Sequence, residues 1–425
     1  MRIHRAALAT LAASAFAAVI GTSTPAPPLT TERIAALPRA QQAAWKEYLD
    51  RSMRQMAADR AALAAEMKRA GLARPLVPPS GFSARSLPLN RPAEWYGSAD
   101  ARRVADIVIS FQTPAGGWSK NLNLSDHARR PGEHFAGNNL SRFPTPGDFD
   151  APRDPEWAYV GTLDNDATNT ELRFLAKVAG AVTDDAASPY RASALRGIEY
   201  LLAAQYPNGG WPQVWPLQGG YHDAITINDD AMTNTLEVLR DVAAGEAPFA
   251  FAGPELRKRA RVAEDKGIAC LLACQVKAHG RLTVWGQQHD MLTLEPVAAR
   301  NYEPAAQSSS ESATVLVFLM SLSKPDKAEV AAVEAGVAWI KKNAIYGKDY
   351  TRGPNGRQLV DAPGAGPIWA RFYEIGSDRP IFGDRDKTIH DTVAEISLER
   401  RNGYSWYNGA AKAALDRYAE WSKQR

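Results

Sequence analysis

The chain has 425 residues, 45% of them hydrophobic and 23% charged, with a formal net charge of +3. That describes an ordinary globular protein with one large core or two smaller ones, and it excludes nucleic-acid binding through bulk charge. Any attraction to a polyanion has to come from locally placed Arg and Lys.

The opening stretch, "MRIHRAALATLAASAFAAVIGTSTPAPP", has two early Arg, an Ala-rich apolar run and then small residues. This is the pattern of a secretory signal peptide, taken as residues 1–26 with cleavage near Ala26. The run is too short and too rich in Ala for a membrane anchor, so the expectation is a secreted or periplasmic protein without membrane partners. Residues 27–90 read as an N-terminal arm. Trp45, Leu49, Met53 and Met56 recur at helical spacing and Gly71 supplies a stop, giving one or two helices. "LARPLVPPSGFSARSLPLNRPAEWYGS" then reads as a Pro-rich extended wrap.

From residue 91 to 425 the chain carries a degenerate internal repeat. "ARRVADIVISFQTPAGGWSKN", "ALRGIEYLLAAQYPNGGWPQVWPL" and "EDKGIACLLACQVKAHGRLTVWGQQ" each run from a helix through Gln112, Gln205 or Gln275 into a turn and a Trp. Each is followed by a second helix. Three helical hairpins with their loops gathered on one face predict an all-α fold, a small toroid of inner and outer helices whose long loops form a cleft. Cys270 and Cys274, four apart on one of these helices, are expected as buried thiols. Trp211 and Asp230 are 19 residues apart but Trp118 and Asp166 are 48, so the first loop holds an insert, expected to be a lid or cleft wall.

At the mouths of two inner helices stand Asp164, Asn165 and Asp166, and Asn228, Asp229 and Asp230. One Asp or Asn caps a helix; a triplet used twice asks for more. Asp164, Asn165 and Asp166 facing Asn228, Asp229 and Asp230 could offer from two loops the hard oxygens that Ca²⁺ prefers. The histidines are scattered and offer no zinc spacing. A third loop holds Arg300, Asn301, Tyr302 and Glu303 ahead of the helix signal "SSSES". Near the end, Arg371, Arg379, Arg385 and Lys387 lie in a turn-rich segment suited to binding a carboxylate or phosphate.

The stretches "FQTPAGGWSKN", "LDNDATNTELRFL", "YPNGGWPQVWPL", "INDDAMTNTLEVL", "RLTVWGQQHD", "PVAARNYEPA" and "RFYEIGSDRPIFGDRD", in order from about Trp95 to Trp406, resemble polysaccharide lyase family 10, the pectate lyases. The first ninety residues fall outside the likeness. It implies an (α/α)3 toroid that cleaves polygalacturonate by calcium-assisted β-elimination to 4,5-unsaturated oligogalacturonides. It further implies that Asp164 and Asp229, with Asn165 and Asp230, hold Ca²⁺, that Arg300 is the base and that Arg385 binds the uronate carboxylate. Lys120 is a further candidate for substrate contact, and Tyr302 and Lys120 are the next bases after Arg300. An arginine base has to lose a proton it normally keeps. A monomer is expected. The alternatives are a carbohydrate-binding toroid without catalysis, and a terpene-cyclase-like α-toroid with an Asp-rich magnesium site, which the leader and the Arg loops disfavour.

Overall fold

The computed structural model describes residues 21–81, 86–137, 147–151, 157, 160–182 and 187–425. The body of the expected leader and much of the loop insert lie outside the described residues.

The arm forms α1 (Thr31–Ala35) and α2 (Arg39–Ala70). Gly71, at φ 67, ends α2 in the left-handed conformation that glycine adopts without a Cβ penalty. The arm is not a loose appendage: Trp45 and Tyr48 belong to the main core cluster, with ring centroids 5.3 and 4.7 Å from Tyr206. The Tyr48 hydroxyl donates to Ala204 O at 2.9 Å.

The body is built from α3 (Ala99–Ser110), α4 (Asn169–Ala181), α5 (Ser188–Ala204), α6 (Ala231–Ala244), α7 (Pro254–Cys274), α8 (Ser309–Leu319) and α9 (Lys327–Lys342). Helices α4, α6 and α8 touch in series as one row, and α3, α5, α7 and α9 touch in series as a second row outside it. The rows are joined by the pairs α3–α4, α4–α5, α6–α7 and α8–α9, with α10 (Lys412–Trp421) against α8. Near-total burial of Leu172, Leu236 and Leu316 marks the inner row as core. Among the described helices none is long and apolar enough to cross a membrane, and Cys270 and Cys274 are free and buried.

Each repeat glutamine staples its own turn to the next outer helix. Gln112 Nε2 donates to Gly116 O at 2.7 Å and Ser193 O at 2.9 Å. Gln205 reaches Gly209 O and Ala263 O, and Gln275 reaches Thr283 O and Ala332 O, all between 2.8 and 3.0 Å. The tryptophans repeat as well: Trp118, Trp211 and Trp285 donate Nε1–H to Val108 O, Leu201 O and Leu271 O at 2.8, 2.8 and 2.7 Å. Trp369 does the same to Ile340 O at 2.8 Å, so a fourth copy of the motif follows α9. The close approach explains the glycines: a Cβ on Gly116 would lie 2.5 Å from Arg196 O, and one on Gly209 2.1 Å from Lys266 O.

An all-α class is too simple. Among the described residues a five-stranded antiparallel sheet joins Gly21–Thr22, Thr388–His390, Pro380–Gly383, Phe372–Tyr373 and Gln307–Ser308, and four two-stranded sheets accompany it. Most strands are two to four residues long, too short to show an alternating pattern in sequence. They tie loops together at the ends of the helices; the longest, Lys348–Gly353 with Gly356–Asp361, is a surface hairpin.

Candidate active site

The loops that follow the tryptophans converge on a cleft of about 370 Å³. Backbone bonds hand each loop to the next copy. Leu163 N–H donates to Gln213 O at 2.9 Å, and Ile227 N–H donates to Gln287 O at 3.0 Å, the same bond one copy on.

The two acidic triplets form matching 3-10 turns, Asp164–Asp166 and Asn228–Asp230. They superpose in order, with Asn165 and Asp229 at φ 53 and 50, then Asp166 and Asp230 at φ 60 and 59. Two consecutive left-handed residues are tolerated by Asn and Asp better than by other side chains. Neither following helix has a side-chain cap bond. The triplets therefore serve a backbone turn that aims side chains into the cleft, not capping. Asp164, Asn165, Asn228 and Asp229 line the cleft. Asp230 does not: it sits beside Asp166 and bonds to Thr314.

The Asp164 and Asp229 carboxyls bond each other, and the Lys120 ammonium pairs with Asp164. Burial would raise Asp164, but the charge of Lys120 and the bond from Asp229 outweigh it and hold its pKa low. Burial and then the charge of Asp164 push Asp229 up, although its side chain opens onto the cleft. Lys120 lies two residues after Trp118, and Gln213, Gln287 and Arg371 hold the same place after Trp211, Trp285 and Trp369. The first three line the cleft; Arg371 stands behind it and donates to Asn228 Oδ1 at 3.1 Å while pairing with Glu311.

Opposite the acids is a cationic wall. Arg300 lines the cleft with its guanidinium fixed by Glu303, Nε to Oε2 at 2.8 Å and Nη2 to Oε1 at 2.5 Å. Glu303, 2% exposed, also accepts the Tyr404 hydroxyl at 2.7 Å. Burial works against the charge on Arg300, yet Glu303 outweighs it and raises the guanidinium well above its usual pKa, while Arg300 in return brings Glu303 down to about 2. Tyr302 is the platform: Arg300, Arg385 and Arg400 place their guanidinium carbons 5.0, 5.4 and 4.3 Å from its ring centre. Burial and the charge of Glu303 push its phenol up to about 12. Arg385 Nε donates to Glu399 Oε2 at 2.9 Å, and Asn301 Nδ2 donates to Arg385 O at 2.6 Å. Arg379 stays out on the surface with Glu374 and Asp391.

The insert contributes one wall. Phe149 N–H donates to Asn301 Oδ1 at 2.9 Å, Asp148 accepts from Asn301 Nδ2 at 2.7 Å, and Asp150 lines the cleft. Asp150, Arg400, Tyr404 and the Gln213 and Gln287 pair are cleft residues that sequence alone does not single out, and Glu303, named only as part of the third loop, gains its role from the structure. Only the glutamines carried a signal, the W-x-polar spacing shared with Lys120.

Can these residues hold a divalent cation? Two carboxylates and the amide oxygen of Asn165 are hard donors, and the Lys120 ammonium already pairs with Asp164, so the acid pair sits where a positive partner is favoured; Asn228 lines the same cleft but its Oδ1 accepts from Arg371 and its Nδ2 donates to Asp229. Among the described residues no three Asp, Glu, His or Cys groups meet. The set fits Ca²⁺ as a partial cage that other oxygens would complete.

The model of the pectic acid lyase family matches residues 112–415. Among solved structures, the chain is similar to the family 10 polysaccharide lyase from Cellvibrio cellulosa at 32% identity and a TM-score of 0.64, covering 81% of this chain and 99% of that one. An Asp-to-Ala variant of that lyase in complex with trigalacturonic acid gives the same identity and score over 80% and 99%. No curated protein matches the chain.

Proposed function

Since the chain belongs to the pectic acid lyase family, family 10 of the polysaccharide lyases, and is a pectate lyase, we propose that it is an exported, Ca²⁺-assisted enzyme acting on polygalacturonate as a monomer. We further propose that the two helical rows are those of an (α/α)3 toroid. The observation that carries the mechanism is the division of one cleft into an acid pair, Asp164 with Asp229, and a cationic wall, Arg300, Arg385 and Arg400 on Tyr302.

In β-elimination a base removes H5 of the uronate, the C5–H electrons become the C4=C5 double bond, and the C4–O4 bond breaks with the proton finally going to the departing oxygen. Charge grows on the C5 carboxylate as H5 leaves, so groups aimed at that carboxylate stabilise the transition state more than the ground state. Arg385, partly exposed and held from behind by Glu399, offers a planar two-donor fork for it. Asp164 and Asp229, with Asn165 alongside, would hold Ca²⁺, and Asn228 would brace Asp229 through its Nδ2. When bound, the cation draws electron density from the uronate carboxylate and so acidifies H5. Asp230 is set apart from that group.

Arg300 is the proposed base. Glu303 keeps it protonated at rest, so its proton has to be lost before catalysis, which favours alkaline pH and the neighbouring cations Arg385 and Arg400. Tyr302 and Lys120 are the substitutes. Incubation with polygalacturonate at alkaline pH, with and without a chelator, tests the reading. The expected result is ultraviolet-absorbing unsaturated uronide that disappears with chelator and returns with Ca²⁺. Undiminished turnover in chelator, or reducing ends without absorbance, overturns it.

A further inference from the structure

The leader pattern ends in sequence near Ala26, but residues 21–29 are packed into the folded body. Gly21–Thr22 pairs antiparallel with Thr388–His390, in the register Gly21 with Ile389 and Thr22 with Thr388. Ser23 N–H then donates to Lys387 O at 2.8 Å. These contacts fall on the strand and turn that directly follow Arg385. Next, Ala26, 5% exposed, forms a small apolar cluster with Tyr221 and Ala299, against which Phe149 and Val297 pack. Tyr221 and Ala299 are themselves cleft-lining residues, and Ala299 precedes Arg300. Leu29 enters the main core. The far end is locked by Arg33, whose Nη1 donates to Pro27 O and Pro28 O at 2.9 and 3.0 Å and whose Nη2 meets Asp290 Oδ2 at 2.6 Å.

We infer that residues 21–29 form a strap that remains in the working enzyme and positions the cleft wall behind Arg385 and Arg300, so that processing of the leader occurs before Gly21 and not after Ala26. The strap touches no reacting atom. It acts through two contacts: it pins the carbonyl of Lys387, two residues from Arg385, and it fills the space behind Ala299 and Tyr221. A chain cut after Ala26 would lose both, leaving an edge strand unpaired and an apolar hollow behind the loop that presents Arg300. Because the strap backs the wall that meets substrate, its loss should weaken the hold on oligogalacturonate more than it slows the chemical step. The inference rests on the reading of this cleft as the lyase site.

Two measurements on the exported full chain test it. The intact mass of the secreted protein should place its first residue at or before Gly21; a start at Thr22 or later overturns the inference. Ser23→Pro, which removes the donor to Lys387, and Ala26→Leu, which overfills the cluster, should each raise KM for a short oligogalacturonate three- to tenfold. In both, kcat should stay within twofold and the thermal midpoint nearly unchanged. Ala26→Ser, close in volume, should behave as the parent does. KM unchanged in both disruptive variants overturns the inference, as does a loss confined to kcat. Failure of the parent itself to give unsaturated product would count against the lyase reading instead, and the two failures are therefore distinguishable.

Discussion

Asp59 of α2 is fully buried, and its replacement by Asn should change how stability depends on pH. Its Oδ1 accepts from Gln55 Nε2 at 2.7 Å, the Ala115 backbone lowers its pKa slightly from the other side of the junction and the Tyr200 phenol lies within electrostatic reach, yet no hydrogen bond within ordinary geometry reaches Oδ2. Burial dominates and raises its pKa from 3.8 to about 6. Between those values the folded chain holds a proton that the unfolded chain has released. Stability contributed by the neutral acid is therefore full below pH 3.8 and is lost as pH rises through about 6. A shift of roughly two pH units corresponds to about 3 kcal/mol. Asn keeps the acceptor for Gln55 and never ionises. The parent should thus fall behind Asp59→Asn progressively from pH 4 to pH 7, and no further above. With an unfolding entropy of about 2 cal/mol/K per residue, the gap in thermal midpoint should widen by roughly 3 °C across that range. The assay is a pair of melting curves at each pH. A difference that stays constant from pH 4 to pH 7, or one that shrinks, would refute the argument that an unpaired buried charge strains the junction of arm and body.

Three further outcomes are expected. Arg300→Lys should lose most of its turnover yet bind oligogalacturonate nearly as the parent does, whereas Arg385→Ala should weaken binding as well; calorimetry beside initial rates separates them, and near-parent activity in Arg300→Ala would move the base to Tyr302 or Lys120. Glu303→Gln keeps the shape but removes the charge that fixes Arg300, and should lower kcat/KM at least tenfold with an unchanged circular dichroism spectrum. Gly383→Ala would set a Cβ 2.4 Å from Tyr302 O; it should cost about 1–3 kcal/mol in a denaturant titration and depress turnover, while Gly253→Ala, with open space around it, should do neither.

The legible parts of this chain were those where a residue type has one structural use at a fixed spacing. Gln112, Gln205 and Gln275 announced the repeat because each ends a helix and precedes a Trp, and they proved to be equivalent staples. Trp369 escaped because a hairpin and a turn separate it from α9, hiding the spacing although the bond to Ile340 O is the same. Asp and Asn were read as helix starts since capping and left-handed turns select the same side chains. That ambiguity put Asp230 with the cleft residues, whereas the turn rotates it away toward Asp166 and Thr314. Glu303 stands in the candidate third loop without a role for another reason: an acid three residues from an arginine is common on surfaces, and only its burial makes it matter. The short strands gave no signal because two residues carry no period.

The bonds that pass from copy to copy at the cleft bear on how the protein folds. In a simple stacked array each unit completes its own loops and only its flanks depend on neighbours, so partial forms are viable. Here Leu163 waits for the carbonyl of Gln213 and Ile227 for that of Gln287, so no copy can finish its own part of the catalytic face. The loops of the cleft are thereby coupled to one another, and the expectation is that they open as a single cooperative unit. Amide hydrogens at Leu163 and Ile227 should then exchange together, at a common opening free energy. A nascent or nicked chain missing the third copy would keep much of its helix yet have no working cleft at all.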